Sequence, residues 1–495
     1  MERIKNYCTV LDRRAGLRAV FADDVETEVK SLKPGIELAG KQVLVVGLAR
    51  TGIATALFCA ARGARVTATE ERAESQIPET AAKLRAAGVT LEMGGHRPQT
   101  FIEQDLIVPS PGVPLMMPAL AAARVTGIPV WSEIELAWRF LHGHLICITG
   151  SNGKTTTTSL VGHLLETAGL PVQIAGNIGT PLISRVDVSS DSGFTVVEAS
   201  SFQLESISAF HPEIAVLLNM TPDHLDRHGS LEAYGRAKAR MFENQTTEDA
   251  ALLNADDAAA TQYAPSCPPV FWFSRKKRVA CGCFLRGDEI VFRREGSETV
   301  LLRREDIGLR GDHNVENVLA AAAAATLAGV EPPAIAEGVR SFAGVEHRIE
   351  FVATVSGVEY FNDSKATNVD ATLKALDAFP GNLLVILGGK DKGSDYTILR
   401  KSLRQHARMV LLIGAAADKI ESQLGGVVPV ERAGTMAHAV ELAEERARPG
   451  DTVLLAPACA SFDQFESYEH RGRVFKQLVR NLAENNEADQ TARRV

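Results

Sequence analysis

Leu145-Ile-Cys-Ile-Thr-Gly-Ser-Asn-Gly-Lys-Thr-Thr156 reads as an apolar run, a polar turn with two glycines, and the opening of a helix. The apolar run is the signature of a strand buried on both faces, as in a parallel sheet. Beyond the turn, Leu160, Val161, Leu164 and Leu165 recur at helical spacing and give that helix one apolar face. Strand, tight turn and helix in this order form a phosphate cradle. Gly150 and Gly153 let the backbone N–H groups of the turn, including Ser151 and Asn152, converge on phosphate oxygens at a helix N-terminus. Lys154 is placed to neutralise the β- and γ-phosphates, and the hydroxyl of Thr155, beside Thr156, is placed to ligate Mg2+. The spacing is Gly-x-x-Gly-Lys-Thr, with Ile148 where the longer phosphate-loop pattern has its outer glycine.

Outward from this loop the same alternation repeats. Upstream, Gln42-Val-Leu-Val-Val46 leads into Gly47-Leu-Ala-Arg-Thr-Gly52, an alanine-rich helix over Thr51 to Arg62 and a second strand over Ala64 to Thr69. This βαβ unit has a degenerate dinucleotide fingerprint, because Ala49 stands where a glycine would let the backbone approach a pyrophosphate. Glu70, ending the second strand, suits a ribose hydroxyl in an NAD enzyme or is a polar residue leaving a strand. Downstream, runs at Leu383 to Leu387, Val410 to Ile413 and Val453 to Leu455 alternate with helical stretches, and Val318 to Gly329 reads as a buried helix. The expected fold is α/β in three domains, each with a mainly parallel sheet, over residues 1–132 (1–40 a weakly patterned leader), 133–344 and 345–495. The polar tail from Glu484 is expected to fray.

Composition narrows the function classes. The 495 residues hold 53 Lys and Arg against 61 Asp and Glu, a net charge of −8 with both signs interspersed, which excludes a general nucleic-acid binder. Hydrophobic residues at 45% and charged residues at 23% exclude a disordered or coiled-coil chain, and no apolar run is long enough to span a bilayer. The first residues, with Glu2, Arg3 and Lys5, have neither an apolar h-region nor a cleavage site, so a cytoplasmic protein is expected. Seven scattered cysteines offer no disulfide framework or zinc spacing; Cys281-Gly-Cys283 reads as small residues in a strand or turn.

Ligands of parallel sheets sit outside the carboxyl ends of the strands, so chemistry is sought in the turns there. Phe194-Thr-Val-Val-Glu198 delivers a carboxylate to a strand end beside the phosphate loop, where nucleotide-binding sheets hold magnesium. Asn219-Met-Thr-Pro-Asp-His-Leu-Asp-Arg-His228 is dense in aspartate and histidine, suited to a second cation or to orienting a reacting carboxylate. Lys238, on the next helix, reads from its own surroundings as a solvated residue. Phe361-Asn-Asp-Ser-Lys-Ala-Thr-Asn368 has more polar residues than a turn requires: Asp363 suits a ribose or cation, Lys365 a phosphate or oxyanion, and Thr367 a carboxylate. The turns Gly388-Gly-Lys-Asp-Lys-Gly393 and Pro457-Ala-Cys-Ala-Ser-Phe-Asp-Gln-Phe465 suit a small anion.

These stretches, with Gly-Asn-Ile-Gly (176–179), Gly-Asp-His-Asn-Val-Glu-Asn (311–317) and His-Arg-Ile-Glu (347–350), resemble in order the motifs of the Mur ligase family. These are ATP-dependent amide ligases of peptidoglycan precursor synthesis. The closest likeness is to the branch that adds D-glutamate to UDP-N-acetylmuramoyl-L-alanine. The resemblance implies a Rossmann-like first domain for the uridine nucleotide, a central ATPase domain and a Rossmann-like third domain for the amino acid. It implies that Lys154 and Thr155 hold the ATP phosphates and Mg2+, Glu198 a first Mg2+ and His224 a second. Lys238 is implied to be carbamylated and to ligate the second Mg2+, which reverses its reading as a solvated residue. Asn314, Asn317, Arg348 and Asp363 are implied to contact the adenosine and phosphates, Asn177 the muramoyl substrate, and Arg72, Ser110 and Gly112 the uridine diphosphate pocket, with Glu70 near the uracil. Lys365, Thr367, Lys392, Ser461 and Phe462 are implied to surround D-glutamate. Tyr468 stands where the family pattern has phenylalanine. A monomer is expected. The rival readings are a sister Mur ligase or a folylpolyglutamate synthase-like enzyme taking another amino acid, a nicotinamide-dependent oxidoreductase, and a noncatalytic nucleotide sensor.

Overall fold

A computed structural model of the chain describes residues 33–177 and 179–492. The leader reading therefore falls, up to residue 32, outside the described residues. Three sheets carry the fold, each built around apolar runs too continuous to leave a face in water. The first is parallel, in the order β3-β2-β1-β4, from β1 (Gln42–Val46), β2 (Arg65–Glu70), β3 (Thr90–Met93) and β4 (Leu106–Pro109). The second has nine strands: β5 (His144–Thr149), β6 (Val172–Gly176), β7 (Phe194–Glu198), β8 (Ile214–Leu217), β9 (Ala250–Asn254), β10 (Val270–Ser274), β11 (Gly282–Arg286), β12 (Glu289–Arg294) and β13 (Ser297–Arg303). Their order is β13-β12-β11-β10-β9-β8-β5-β7-β6, parallel except for the antiparallel meander β11-β12-β13. The third sheet runs β14 (Glu350–Val355), β15 (Val358–Asn362), β19 (Thr452–Leu455), β16 (Leu383–Gly388), β17 (Ala407–Ile413) and β18 (Val430–Gly434), with only the β14-β15 hairpin antiparallel.

The chain divides into two compact units. One holds the first two sheets and runs to Ile307, with Val315–Phe342 added; the other joins Gly308–Asn314 to the chain from Ala343 onward. In the first unit, Leu160, Val161, Leu164 and Leu165 of the helix Lys154–Thr167 are all buried against the second sheet, as their spacing indicates. The alanine-rich helix Asp312–Leu327 buries Val318 through Ala325 completely, the small side chains letting it lie close on the strands. The α/β class and the first strand-turn-helix unit are thus as the sequence indicates. One expectation is corrected as far as Ala492, residues 493–495 lying outside the described residues: the tail from Glu484 continues the helix Tyr468–Ala492, whose earlier turns bury Phe475 and Val479. Among the described residues no helix is long and apolar enough to cross a membrane.

Candidate active site

The phosphate loop forms because two of its positions admit only glycine. Gly150 and Gly153 have φ of 154° and 82°, and a Cβ at Gly153 would collide with Oδ1 of Asn317. Asn317, in the second turn of the helix Asp312–Leu327, accepts from the Thr157 hydroxyl at 3.3 Å, which sets that turn against the loop. The loop is laced to the turn after β8: Ser151 N–H donates to Asn219 O (3.0 Å), Asn152 N–H to Asn219 Oδ1 (2.8 Å), and the Ser151 hydroxyl to Thr221 O (2.9 Å). This lacing carries His224 to the loop. His224 adopts a left-handed backbone (φ 51°), caps the helix Leu225–His228, and packs its ring against Phe202 at 4.9 Å.

Glu198 ends the fully buried β7, which pairs with β5 in parallel register, so its carboxylate emerges beside the loop. Its two oxygens have separate partners: Thr155 Oγ1 donates to one (2.8 Å) and Asn177 Nδ2 to the other (2.8 Å). Lys154 Nζ donates to Gly150 O and Ser151 O, both at 2.8 Å. Lys238 is 1% exposed, which overturns its reading as a solvated residue. The helix Leu231–Ala239 packs the face bearing Tyr234, Gly235 and Lys238 inward, and Lys238 Nζ donates to Gly150 O (2.9 Å) and Thr149 Oγ1 (3.2 Å). Burial, with the Lys154 charge adding to it against Asp223 and Glu198, holds this amine well below its ordinary range.

These groups fit a nucleotide triphosphate with Mg2+. The turn leaves no room for side chains at its glycines, Thr156 Oγ1 is buried without a hydrogen-bond partner among the described residues, and Thr155 and Glu198 offer hard oxygen donors.

In the first sheet, Glu70 and Arg72 meet beside the Gly47 turn. Glu70 accepts from Leu48 N–H (2.6 Å) and pairs with Arg72 (3.0 Å), whose hydrogen bond first of all draws the carboxyl down to about 2. The Ser110 hydroxyl donates to Gly47 O (2.8 Å), bringing the loop with Gly112 onto the same turn.

The second unit gathers the remaining residues. Asp363 is buried after β15, accepts from Ile349 N–H, and is pushed up to about 7 by burial, against the pull of Arg348 and Lys365. Arg348 lies in a loop with His347 (φ 65°) and Ile349 (φ 44°) in left-handed conformations. The loop is braced from both sides: Asn362 Nδ2 donates to His347 Nδ1 (2.9 Å) and Glu350 (3.1 Å), and Lys476 bridges Glu346 (2.9 Å) and Glu350 (2.6 Å). Asn314 is buried and donates to Arg310 O at 2.7 Å. Lys365 lies over the Tyr468 ring at 5.7 Å, Thr367 N–H donates to Lys365 O, and Ser461 is buried while Phe462 is 67% exposed. Lys392 is exposed on its turn, which Asp391 holds by accepting from Tyr396 (2.8 Å), Ser394 (3.1 Å) and Lys419 (2.7 Å).

Sequence reading missed Arg471. It is 0% exposed and ties the turns together, donating to Ser364 Oγ (3.0 Å), Ser364 O (2.9 Å) and Cys459 O (3.2 Å). The available signal was positional: Arg471 stands in line with Phe475 and Val479 at four-residue spacing, a charge on the apolar stripe of its helix.

Three Mur ligase family descriptions match the chain: the MurD-like N-terminal domain over residues 41–132, the middle domain over 148–325, and the glutamate ligase domain over 347–459. A curated relative from Koribacter versatilis, named UDP-N-acetylmuramoylalanine–D-glutamate ligase, is 54% identical over 91% of this chain and 99% of its own. A relative of the same name from Geotalea daltonii is 45% identical over 90% and 99%. Among solved structures, the UDP-N-acetylmuramate-alanine ligase MurC of Thermotoga maritima aligns at TM-score 0.56 with 19% identity, over 89% of this chain and 99% of that one. The MurF ligase of the same organism, solved with ADP, aligns at 0.56 with 16% identity, over 91% and 96%. The structures share the fold; relatives more than half identical across nine-tenths of the chain decide the rest, and the chain belongs to the Mur ligase family.

Proposed function

We propose that this chain is an ATP-dependent ligase that joins D-glutamate to UDP-N-acetylmuramoyl-L-alanine, releasing ADP and phosphate, in peptidoglycan precursor synthesis. The relatives at 54% identity carry this activity in their name, and the phosphate loop with Glu198 supplies the matching site. A carboxylate oxygen of the alanyl group attacks the γ-phosphorus, the bond to ADP breaks, and an acyl phosphate forms. The amine of D-glutamate, having lost a proton, then attacks the acyl carbon; the carbon–oxygen bond breaks, phosphate leaves, and the nitrogen gives up its second proton as the amide forms. Two anions must meet in the first step, so the enzyme's task is positioning and charge balance.

In this reading the backbone N–H groups of Gly150 to Thr156 and the Lys154 ammonium bind the phosphates. Thr155, Glu198, His224 and Lys238 hold a pair of Mg2+ ions, which when bound screen the charge between carboxylate and triphosphate. Lys238 meets the requirement for carbamylation, since a buried amine held neutral keeps the lone pair that adds to CO2. Asn314, Asn317, Arg348 and Asp363 hold the adenosine and phosphates; Arg72, Ser110, Gly112 and Asn177 hold the acceptor. Lys365, Thr367, Lys392, Ser461, Phe462 and Tyr468 receive D-glutamate. The domains are taken as 1–132, 133–344 and 345–495, in a monomeric cytoplasmic enzyme. The Glu70–Arg72 pair weighs against the nicotinamide reading, because the carboxylate that would take a ribose hydroxyl is already engaged.

The test is phosphate release and product formation with ATP, Mg2+ and UDP-N-acetylmuramoyl-L-alanine, offering D-glutamate, L-glutamate, L-alanine and diaminopimelate singly. Turnover with D-glutamate alone is expected. Turnover with another amino acid instead would move the chain to a sister ligase.

A further inference from the structure

Arg227, in the Asp-His-Leu-Asp-Arg-His turn, has no part in the site described above, yet its side chain is only 17% exposed. Its guanidinium forks onto two carbonyls of the first sheet's 110–113 loop: Nη1 donates to Pro111 O (2.7 Å) and Nη2 to Val113 O (3.0 Å). On its other side it lies over the Phe202 ring at 3.9 Å and faces Glu205 at 3.6 Å. Phe202 packs against His224, and His228 locks the turn further, its ring nitrogens meeting Ser201 Oγ (2.9 Å) and Glu205 (3.1 Å). The far end of the 110–113 loop is fixed to the Gly47 turn through Ser110, and a Cβ at Gly47 would press on Val113. Side chains and backbone thus run without a break from the Gly47 turn, through the 110–113 loop and Arg227, to the turn that presents His224. A planar fork on two carbonyls fixes both distance and angle, which a lysine cannot reproduce.

We propose that Arg227 is a positioning residue that couples the two substrate sites of this ligase, setting the loop under the nucleotide-sugar acceptor in register with the His224 turn beside the phosphate loop. The inference rests on the functional reading above. Coupling of this kind is reciprocal, so each ligand must tighten the other through Arg227.

The test compares the parent with Arg227→Lys. Steady-state kinetics give KM for each substrate, and calorimetry gives the Kd of Mg·ADP with and without UDP-N-acetylmuramoyl-L-alanine. In the variant the acceptor KM is expected to rise about tenfold, the Kd of Mg·ADP alone to stay within about twofold, and the tightening of Mg·ADP by acceptor to vanish. An unchanged acceptor KM with intact coupling overturns the proposal, as does an equal weakening of both ligands, which marks a merely structural residue. A second measurement needs no substitution: in the parent, Mg·ADP alone is expected to slow amide hydrogen exchange at Gly112 and Val113, and unchanged exchange there also overturns it. A parent that makes no product fails the functional reading, whereas an active parent matched by Arg227→Lys fails Arg227 alone.

Discussion

Each of the two units buries a basic side chain almost completely, and the two are treated in opposite ways. Lys238, in the first, has two hydrogen-bond acceptors and a second cation, Lys154, donating to the same Gly150 carbonyl. Burial then favours the neutral amine. Arg471, in the second, spreads its fork over Ser364, Cys459 and Ala460, and burial lowers it only to about 10, so it stays charged at neutral pH. A buried lysine that sheds its proton keeps a lone pair for chemistry. A buried arginine that cannot shed it is a strut, and its worth lies in the carbonyls it saturates.

The largest expected effect comes from removing the chemistry while sparing the fold. Lys238→Met should lower ligation by about a thousandfold or more, comparable to losing a metal ligand. Its melting temperature should hold or rise. Lys238 has a folded pKa below its unfolded value, so the unfolded chain binds the extra proton and the native lysine costs stability as pH falls from about 10. A variant that melts markedly lower would make Lys238 a strut as well. Conversely, Arg471→Met should cost about 3–5 kcal/mol, since buried carbonyls lose their donors. Denaturant unfolding checks this, and an unchanged midpoint would break the contrast.

A smaller effect sharpens it. Asp363 has its pKa raised to about 7, so its contribution to stability is fully present below the unfolded value near 4 and is lost as pH rises through 7. Asp363→Asn should therefore gain on the parent by about 1 kcal/mol or more between pH 5 and pH 8.5 in urea midpoints. Equal pH slopes in both proteins would show that Arg348 compensates the charge fully.

The phosphate loop was legible because its elements are contiguous: strand, glycines, lysine and threonine follow one another in the chain. Glu198 was legible by the same logic, as a carboxylate at the end of a buried strand. Lys238 was misread from its own helix because short helices show little periodicity, and what buries it is the phosphate loop, some ninety residues earlier in the chain. Arg471 escaped for a related reason. Its partners lie in turns far apart in sequence, and a single arginine on an apolar stripe looks like an exception until the carbonyls are seen around it. The β11–β13 meander was equally silent, because charged residues break up the apolar runs of its outer strands, Glu289–Arg294 and Ser297–Arg303.

That meander has a practical use. β13 is the outermost strand of the nine-stranded sheet, whereas the phosphate loop and Glu198 grow from β5 and β7 in its other half. The β11-β12 and β12-β13 connections are tight turns with glycines in left-handed conformations, Gly287 (φ 59°) and Gly296 (φ 79°). Tips of this kind accept inserted sequence with little loss. An affinity tag or a fluorescent reporter threaded between Arg286 and Glu289 gives the chain a handle at the sheet edge away from β5 and β7.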